Sequence, residues 1–157
     1  MVQFTGTHAN RLDGKGRVSI PAEFRAAMKE AGVTKLLLRA SHQFACIEGR
    51  TPEAFAKLAG ATETLDAFSE EHADMTLLLY SGATTVAPDG DGRIVLPAEL
   101  AAYAGLGETA MFAGAGSRFE IWEPAAFARR KEEMLRNVVA RRQTLPGSPR
   151  QVSGSAS

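Results

Sequence analysis

The sequence predicts a β-rich α+β fold made of two copies of one small unit. The main observation is a repeat: residues 13–24, which begin Asp-Gly-Lys-Gly-Arg-Val-Ser-Ile-Pro, return 76 positions later as residues 89–100, which begin Asp-Gly-Asp-Gly-Arg-Ile-Val-Leu-Pro. A second match, between residues 44–48 and 119–123, has an offset of 75, so the repeated unit spans some 45 residues. One such unit buries little apolar surface alone. We therefore expect the two copies to complete a barrel around a pseudo-two-fold axis.

Each copy is predicted to contain the same elements in the same order. Residues 6–12 form a strand, residues 13–16 a turn in which Gly14 and Gly16 allow positive φ, and Arg17 begins the returning strand of a β-hairpin. Pro21 ends that strand and begins a helix. A strand pair (35–39 and 44–48) and a short helix from Pro52 follow. The second copy repeats this order, with Pro97 and Pro124 at its helix starts.

Three further segments complete the predicted organisation. Between the copies, residues that recur at spacings of three and four predict an amphipathic linking helix; they are Leu65, Phe68, His72, Met75 and Leu79. A long basic helix runs from Pro124 to about Arg142, and the Pro-, Gly- and Ser-rich tail beyond it is predicted to be disordered. The predicted divisions are 1–60 (first unit), 61–82 (linking helix), 83–127 (second unit), 128–142 (C-terminal helix) and 143–157 (tail).

Composition and cysteine content indicate a cytoplasmic protein. Hydrophobic residues make up 45% of the chain, which is enough for a packed core. The single cysteine, Cys46, excludes an intrachain disulfide and suits a reducing compartment. The N-terminus does not resemble a signal peptide, and the longest aliphatic runs, 36–38 and 77–79, are too short to cross a bilayer. We therefore expect no membrane contact.

Charge is distributed unevenly along a chain whose net charge is zero. Residues 1–57 carry a net charge of +4, residues 58–100 carry −7, and residues 101–157 carry +3. Because salt confines the field of a charge to about 8–10 Å, a local basic patch can bind phosphate on a neutral protein. Uneven charge is equally typical of ordinary solvated faces, so it does not decide between these interpretations.

The sequence offers no catalytic, metal-binding or cofactor-binding set, so we expect neither an enzyme nor a small-molecule substrate. The histidines, His8, His42 and His72, lie in three different elements, without metal-ligand spacing. Cys46 corresponds to Ile121 in the second copy, which indicates a small core residue. The glycine-rich turns lack the Lys-Ser/Thr ending of a phosphate-binding loop.

The repeated Asp-x-x-x-Arg motif favours a nucleic-acid contact. Across a hairpin turn, Asp13 can hold the Arg17 guanidinium in one orientation, and Asp89 can do the same for Arg93. An oriented arginine on a hairpin can contact guanine O6 and N7 in the major groove. Arg11 and Lys15 lie on the same predicted hairpin, with Arg25 on the next helix, and Lys15 at the tip would contact phosphate. A purely structural ion pair, copied with the unit, is the alternative.

Residues 6–21, Gly-Thr-His-Ala-Asn-Arg-Leu-Asp-Gly-Lys-Gly-Arg-Val-Ser-Ile-Pro, closely resemble the opening of the MraZ family of bacterial transcriptional regulators. Residues 81–83 (Ser-Gly-Ala), 89–94 (Asp-Gly-Asp-Gly-Arg-Ile) and 117–122 (Ser-Arg-Phe-Glu-Ile-Trp) match it further on, and the resemblance covers about residues 1–142. Members of that family contain two AbrB-like halves, each with an Asp-x-x-x-Arg motif.

The resemblance implies a nucleoid-associated, ring-like homo-oligomer that binds short direct repeats in double-stranded promoter DNA. Its target would be the division and cell-wall gene cluster, its own promoter included. It implies DNA contacts by Arg17 and its counterpart Arg93, and the predicted hairpin adds Lys15 and Arg11 to the DNA-contacting set. Asp13, Gly16, Asp89 and Gly92 would support the two turns.

Two departures from the family pattern bear on these roles. Asp91 stands where the first turn has Lys15, so we expect the first copy to dominate DNA contact. The linking segment 69–77 is acidic where relatives commonly carry arginine. An oligomeric protein-interaction module that uses the helix 124–142 and binds no nucleic acid is the main alternative, and a small barrel enzyme is the least supported one.

Overall fold

The computed structural model describes residues 1–146. Its strands are β1 (Thr7–Arg11), β2 (Arg17–Ser19), β3 (Leu36–Ala40), β4 (Ile47–Arg50), β5 (Thr84–Val86), β6 (Arg93–Val95), β7 (Thr109–Gly114) and β8 (Arg118–Trp122). Its α-helices are α1 (Ala22–Glu30), α2 (Pro52–Gly60), α3 (Glu70–Ser81), α4 (Ala98–Tyr103) and α5 (Pro124–Arg141). A 3₁₀ turn, Ala61–Thr64, follows α2. The predicted β-rich α+β class is confirmed.

Proline places the helix starts where the sequence predicts them. Pro21 and Pro97 immediately precede α1 and α4, and Pro52 and Pro124 are the first residues of α2 and α5. The Thr51 hydroxyl caps α2 by accepting a hydrogen bond from the Ala54 N–H at 3.1 Å. A proline at the first turn loses no helical hydrogen bond, since those N–H groups have no partner within the helix.

The strands form one six-stranded sheet, in the order β1-β7-β8-β4-β3-β5, and one two-stranded sheet, β2-β6. The equivalent strands β4 and β8 pair at the centre, with Ile47 opposite Ile121. The first strand of each copy pairs with the other copy: β1 lies beside β7, and β5 lies beside β3. The two copies therefore share their sheets, as a pseudo-two-fold arrangement requires.

The predicted β-hairpin is wrong in its strand pairing, although its turn is present. The Asp13 N–H donates to the Arg17 carbonyl at 3.0 Å, which closes the turn. Beyond that point the strands separate, because β1 pairs with β7 over five residues and β2 pairs with β6. Pairing across the copies gives each short strand a longer or better buried partner than its sequence neighbour offers.

The predicted barrel is also wrong. β1 and β5 remain at opposite edges of the six-stranded sheet, and β2 and β6 form a separate ribbon instead of closing it. The shared core is present nevertheless. Its centre is an aromatic cluster in which the rings of Phe4 and Phe24 are 5.1 Å apart, and the rings of Phe24 and Phe119 are 5.5 Å apart. Val18 and Ile94 contribute from the ribbon, so the core joins both sheets.

Two local predictions are shifted. β4 begins at Ile47 instead of residue 44, because the Ser41 hydroxyl accepts the N–H groups of Gln43 and Phe44 and holds a turn there. The linking helix α3 begins only at Glu70, where Ser69 caps it. Leu79 of the predicted apolar stripe is buried, but Phe68 precedes the helix and is 98% exposed.

A buried ion-pair network lies on the β3–β4 part of the sheet. The Glu48 carboxylate accepts from Arg39 at 2.8 Å and from Arg50 at 2.6 Å, and all three residues are buried. Burial alone would raise the pKa of Glu48, but the two guanidinium groups hold it below its ordinary value. Glu48 therefore stays ionised between two buried cations.

Of the described residues, 125–146 form a separate unit that contains α5 from its second residue onwards. Within it the apolar side chains of Leu135 and Val139 are 52% and 74% exposed. Most of the predicted tail, residues 147–157, lies outside the described residues. Across residues 1–146, none of the helices has the length and apolar character that crossing a membrane requires.

Candidate nucleic-acid interface

The first Asp-x-x-x-Arg turn is organised around the Asp13 carboxylate. Its Oδ1 accepts the backbone N–H groups of Lys15 and Arg17 at 2.9 and 2.8 Å. Its Oδ2 accepts Nε of Arg17 at 2.7 Å, which confirms the predicted ion pair. Asp13 binds only Nε of Arg17, so the two terminal Nη groups of Arg17 can donate to another partner.

The turn also depends on Gly16, which has a φ of 79° in the left-handed region. A Cβ atom at this position would lie 3.2 Å from the Leu96 carbonyl oxygen. The close approach is needed because the Gly16 carbonyl accepts the Leu96 N–H at 2.8 Å. Gly16 therefore joins the first turn to the second copy.

The hydrogen bonds to Asp13 lower its pKa to about 2, mainly through the Arg17 backbone N–H and then through the Arg17 guanidinium. Because this pKa lies below that of the unfolded chain, ionised Asp13 stabilises the turn above about pH 4, and this contribution is lost as the pH falls towards 2. In a ¹³C NMR titration we expect the Asp13 carboxyl to have a midpoint near 2 in the wild type. In Arg17→Ala the midpoint should rise but stay below 3.8, because the backbone bonds remain. An unchanged midpoint would mean that the guanidinium is not held as described.

The second turn repeats the backbone geometry with a looser arginine. Asp89 Oδ1 accepts the N–H groups of Asp91 and Arg93 at 2.9 and 3.0 Å, and the backbone bond from Arg93 is the main cause of the lowered Asp89 pKa. The Arg93 Nε, however, lies 3.6 Å from Asp89 Oδ2, while its Nη2 lies 3.3 Å from Asp91 Oδ2. Arg93 is thus shared between two carboxylates, whereas Arg17 pairs with one.

Both arginines lie on one face of the β2–β6 ribbon. Arg17 is opposite Val95, Val18 is opposite Ile94, and Ser19 is opposite Arg93. Side chains alternate along a strand, and Val18 and Ile94 are only 1% and 2% exposed. The opposite side, which we call the ribbon face, consists of Arg17, Ser19, Arg93 and Val95. Arg17 and Arg93 are diagonal neighbours on it, a position that typically separates Cα atoms by about 7–8 Å.

The two turns are tied to one another across this ribbon. The Gly92 carbonyl accepts the Ile20 N–H at 2.9 Å. This bond is the counterpart of the one from the Leu96 N–H to the Gly16 carbonyl. The charge of Arg17 also contributes to the lowered pKa of Asp89. The ribbon face is therefore built from residues of both copies, which the sequence did not predict.

The other residues predicted to contact DNA are not part of the ribbon face. Lys15 is at the exposed tip of the first turn, and its ammonium makes no ion pair with any residue of 1–146. Arg11 is exposed at the end of β1, opposite Thr109, and so belongs to the six-stranded sheet. Arg25, placed by sequence with the first turn, lies instead against Gly92 of the second turn. Its position follows from the exchange of strand partners.

The other chemically interesting side chains lie elsewhere and are explained by packing. Cys46 is buried, and this burial together with the Glu120 and Glu48 charges raises the pKa of its thiol to about 12. It is therefore an unreactive core residue, as predicted. His8 packs edge-on against Phe24 at 5.2 Å. Within residues 1–146, no cluster of His, Cys, Asp or Glu has the arrangement of a metal site.

Comparison with known proteins identifies the family. The protein-family model described as "MraZ protein, putative antitoxin-like" matches residues 3–78 and again residues 79–145. A protein of Gluconacetobacter diazotrophicus named Transcriptional regulator MraZ is 46% identical over 158 residues, which cover 99% of each chain. A protein of the same name from Gluconobacter oxydans is 45% identical over 159 residues, or 99% of this chain and 94% of that one. One from Rhodospirillum rubrum is 39% identical over 128 residues, or 80% and 83% of the two chains. The resemblance found in the turn motifs is confirmed: the chain belongs to the MraZ family.

Proposed function

We propose that this protein is a transcriptional regulator that binds double-stranded DNA through the ribbon face. The observation that carries the proposal is the pair of aspartate-held arginines, Arg17 and Arg93, which are diagonal neighbours on the solvent side of a ribbon whose other side is buried. The relatives named transcriptional regulators support it. Their names also agree with the prediction that the chain is not an enzyme, which stays a prediction.

The geometry suits readout of guanine in the major groove. A two-stranded antiparallel ribbon fits the width of that groove. Asp13 binds Nε of Arg17, so the two Nη groups can donate together to guanine O6 and N7, and the arginine loses little conformational freedom on binding. Lys15, exposed at the tip, is placed to contact phosphate. Arg93 has one Nη group occupied by Asp91, so its contact should be weaker than that of Arg17.

The target and the assembly are further parts of the proposal. One ribbon face makes few base contacts, so useful affinity requires several faces on one DNA molecule. A homo-oligomeric ring on short direct repeats meets this need, because each further contact then benefits from high effective concentration. Following the family resemblance, we propose promoter DNA of the division and cell-wall gene cluster, including the protein's own promoter, and a place on the cytoplasmic nucleoid.

An oligomeric interaction module without DNA binding is the second candidate. It is favoured by exposed apolar side chains at helical spacing on α5, Leu135, Val138 and Val139, which are 52%, 38% and 74% exposed. Such a module would self-associate, and changes at Lys15 or Arg17 would leave that association unaffected.

Fluorescence anisotropy distinguishes the two candidates. The full chain is titrated into a labelled duplex from upstream of its own gene and into a shuffled duplex of equal composition, at several salt concentrations. We expect tighter binding to the upstream duplex, with log K falling by about 0.9 per phosphate contacted for each log unit of salt. Absence of binding to either duplex would contradict the proposal and favour the interaction module.

A further inference from the structure

We infer that a phosphate of the DNA backbone binds in the cleft between α1 and the second turn, held by Arg25 and Lys29. These two residues, both from the first copy, supply positive charge that the second turn lacks at its tip, where Asp91 replaces the lysine of the first turn. The inference rests on the proposed function and extends the DNA-contacting surface to a helix.

Arg25 is in direct contact with the second turn. Gly92 has a φ of 78°, and a Cβ atom there would lie 2.5 Å from Cδ, 2.6 Å from Nε and 2.7 Å from Cζ of Arg25. The side chain therefore lies flat on the bare Gly92 backbone. Its Nε donates to the Ile20 carbonyl at 3.0 Å. Since Ile20 is itself bonded to the Gly92 carbonyl, the guanidinium is fixed relative to the second turn.

The outer end of Arg25 remains available to a ligand. Within residues 1–146, its Nη groups make no hydrogen bond or ion pair. Arg25 lines a cleft of about 490 Å³ together with Lys29, Asp89, Gly90 and Gly92, and Met28, Val33 and Pro88 form its apolar part. Lys29 is one helical turn after Arg25 and is exposed, so both cations reach the same cleft. Gly90 has no side chain, and nothing lies within 4 Å of the place where its Cβ atom would be, so there is room for a phosphate beside it.

The two turns differ in net charge, and Arg25 and Lys29 offset this difference. The first turn, with Asp13, Lys15 and Arg17, carries +1. The second, with Asp89, Asp91 and Arg93, carries −1 and would repel phosphate. Arg25 and Lys29 bring this second site to +1.

At the first turn the additional cation, Lys15, is at the tip, and the helix α4 of the other copy supplies none. Ala101 stands in the second copy where the first has Arg25, since each is the fourth residue after the repeated proline. Each turn thus has a cation beyond its own motif arginine, at the tip in the first copy and on the neighbouring helix in the second. The two turn sequences differ in net charge, but in the folded chain each turn together with its neighbouring cations carries +1.

Salt dependence of binding tests the inference through three variants of the full chain. Arg25→Gln should lower the slope of log K against log salt by about 0.9, equally on the upstream and the shuffled duplex. The preference for the upstream duplex should not change, because phosphate contacts carry no sequence information. Arg25→Lys loses the bond to Ile20 but keeps the positive charge. Because the charge determines the slope, this variant should keep the wild-type slope. Arg25→Gln combined with Asp91→Lys should regain the lost slope, since the tip then carries its own cation.

The control is Lys57→Gln, an exposed change on α2 that should leave the slope unchanged. A wild-type slope in Arg25→Gln would overturn the inference while leaving the proposed function intact. If Arg25→Lys lost as much as Arg25→Gln, Arg25 would only support the turn, and the inference would be wrong. If the wild type bound neither duplex, the proposed function itself would fail and the phosphate site with it.

Discussion

Arg17→Ala is expected to remove most of the preference for the upstream duplex over a shuffled one. A bidentate arginine–guanine contact discriminates by about 1–3 kcal/mol, which corresponds to roughly 5- to 150-fold in affinity per contact. Binding to the shuffled duplex should fall much less, because phosphate contacts by Lys15 and the other cations remain. Anisotropy titrations of both duplexes measure the ratio directly.

Arg93→Ala is the matched comparison within the same chain. Its guanidinium is shared between Asp89 and Asp91, at 3.6 and 3.3 Å, so its loss should reduce the preference less than the loss of Arg17. Arg17→Lys keeps the charge but lacks the two-pronged donor geometry, and should behave like Arg17→Ala in preference. Equal preference in the wild type and Arg17→Ala would place the readout on another surface.

Glu48→Ala is expected to cause the largest loss of stability, about 3–5 kcal/mol in the free energy of unfolding. The change leaves Arg39 and Arg50 buried without the carboxylate that both of them contact, at 2.8 and 2.6 Å. Glu120, the cross-strand neighbour of Glu48, already accepts from Arg118 at 3.0 Å and from the Trp122 indole at 2.9 Å. Urea unfolding followed by circular dichroism measures the difference.

Glu53→Ala is the control for that measurement. Glu53 forms an exposed pair with Lys57 at 3.8 Å, and exposed pairs contribute at most about 1 kcal/mol. If both variants unfolded at the wild-type urea concentration, the Glu48 network would not stabilise the fold as described.

Local features of this chain could be predicted from its sequence because they depend on neighbours a few residues apart. The Asp13–Arg17 pair is set by a spacing of four residues and a turn that needs Gly16. The helix starts follow from the position of proline. Cys46 could be assigned to the core because the repeat placed Ile121 in the equivalent strand, and the two strands do meet at the centre of the sheet.

The β3–β4 and β7–β8 pairs were predicted within each copy. The partners of the first two strands of each copy could not be predicted, and the duplication itself is the reason. When a sequence contains two similar copies, each strand has a compatible partner in both, and the alternation of side chains is the same for either choice. β1 pairs with β7 over five residues, whereas β2 has only three residues to offer. The placement of Arg25 depends on this choice, so its contact with Gly92 was missed. The sequence held one signal of this contact: Asp91 stands where the first turn has Lys15, so the second turn has no cation at its tip.

The extent of α3 illustrates a different limit. Residues at helical spacing were present from Leu65 onwards, but Ser69 accepts the N–H of His72 and fixes the helix start at Glu70, five residues later than that spacing indicates. A capping residue inside an apolar pattern can begin the helix there, since the capped N–H groups gain a partner. Phe68 consequently lies outside the helix and outside the core.

Methylation of guanine N7 tests the central claim most directly, because that atom is where Arg17 is proposed to donate. The upstream duplex is lightly methylated at guanine N7, mixed with the full-length protein, and the bound and free fractions are separated and cleaved at the modified bases. We expect methylation of specific guanines within the direct repeats to be excluded from the bound fraction of the wild type, and this exclusion to weaken in Arg17→Ala. A wild-type bound fraction with methylated guanines at every position would contradict the account, since the ribbon face could not then be reading guanine in the major groove.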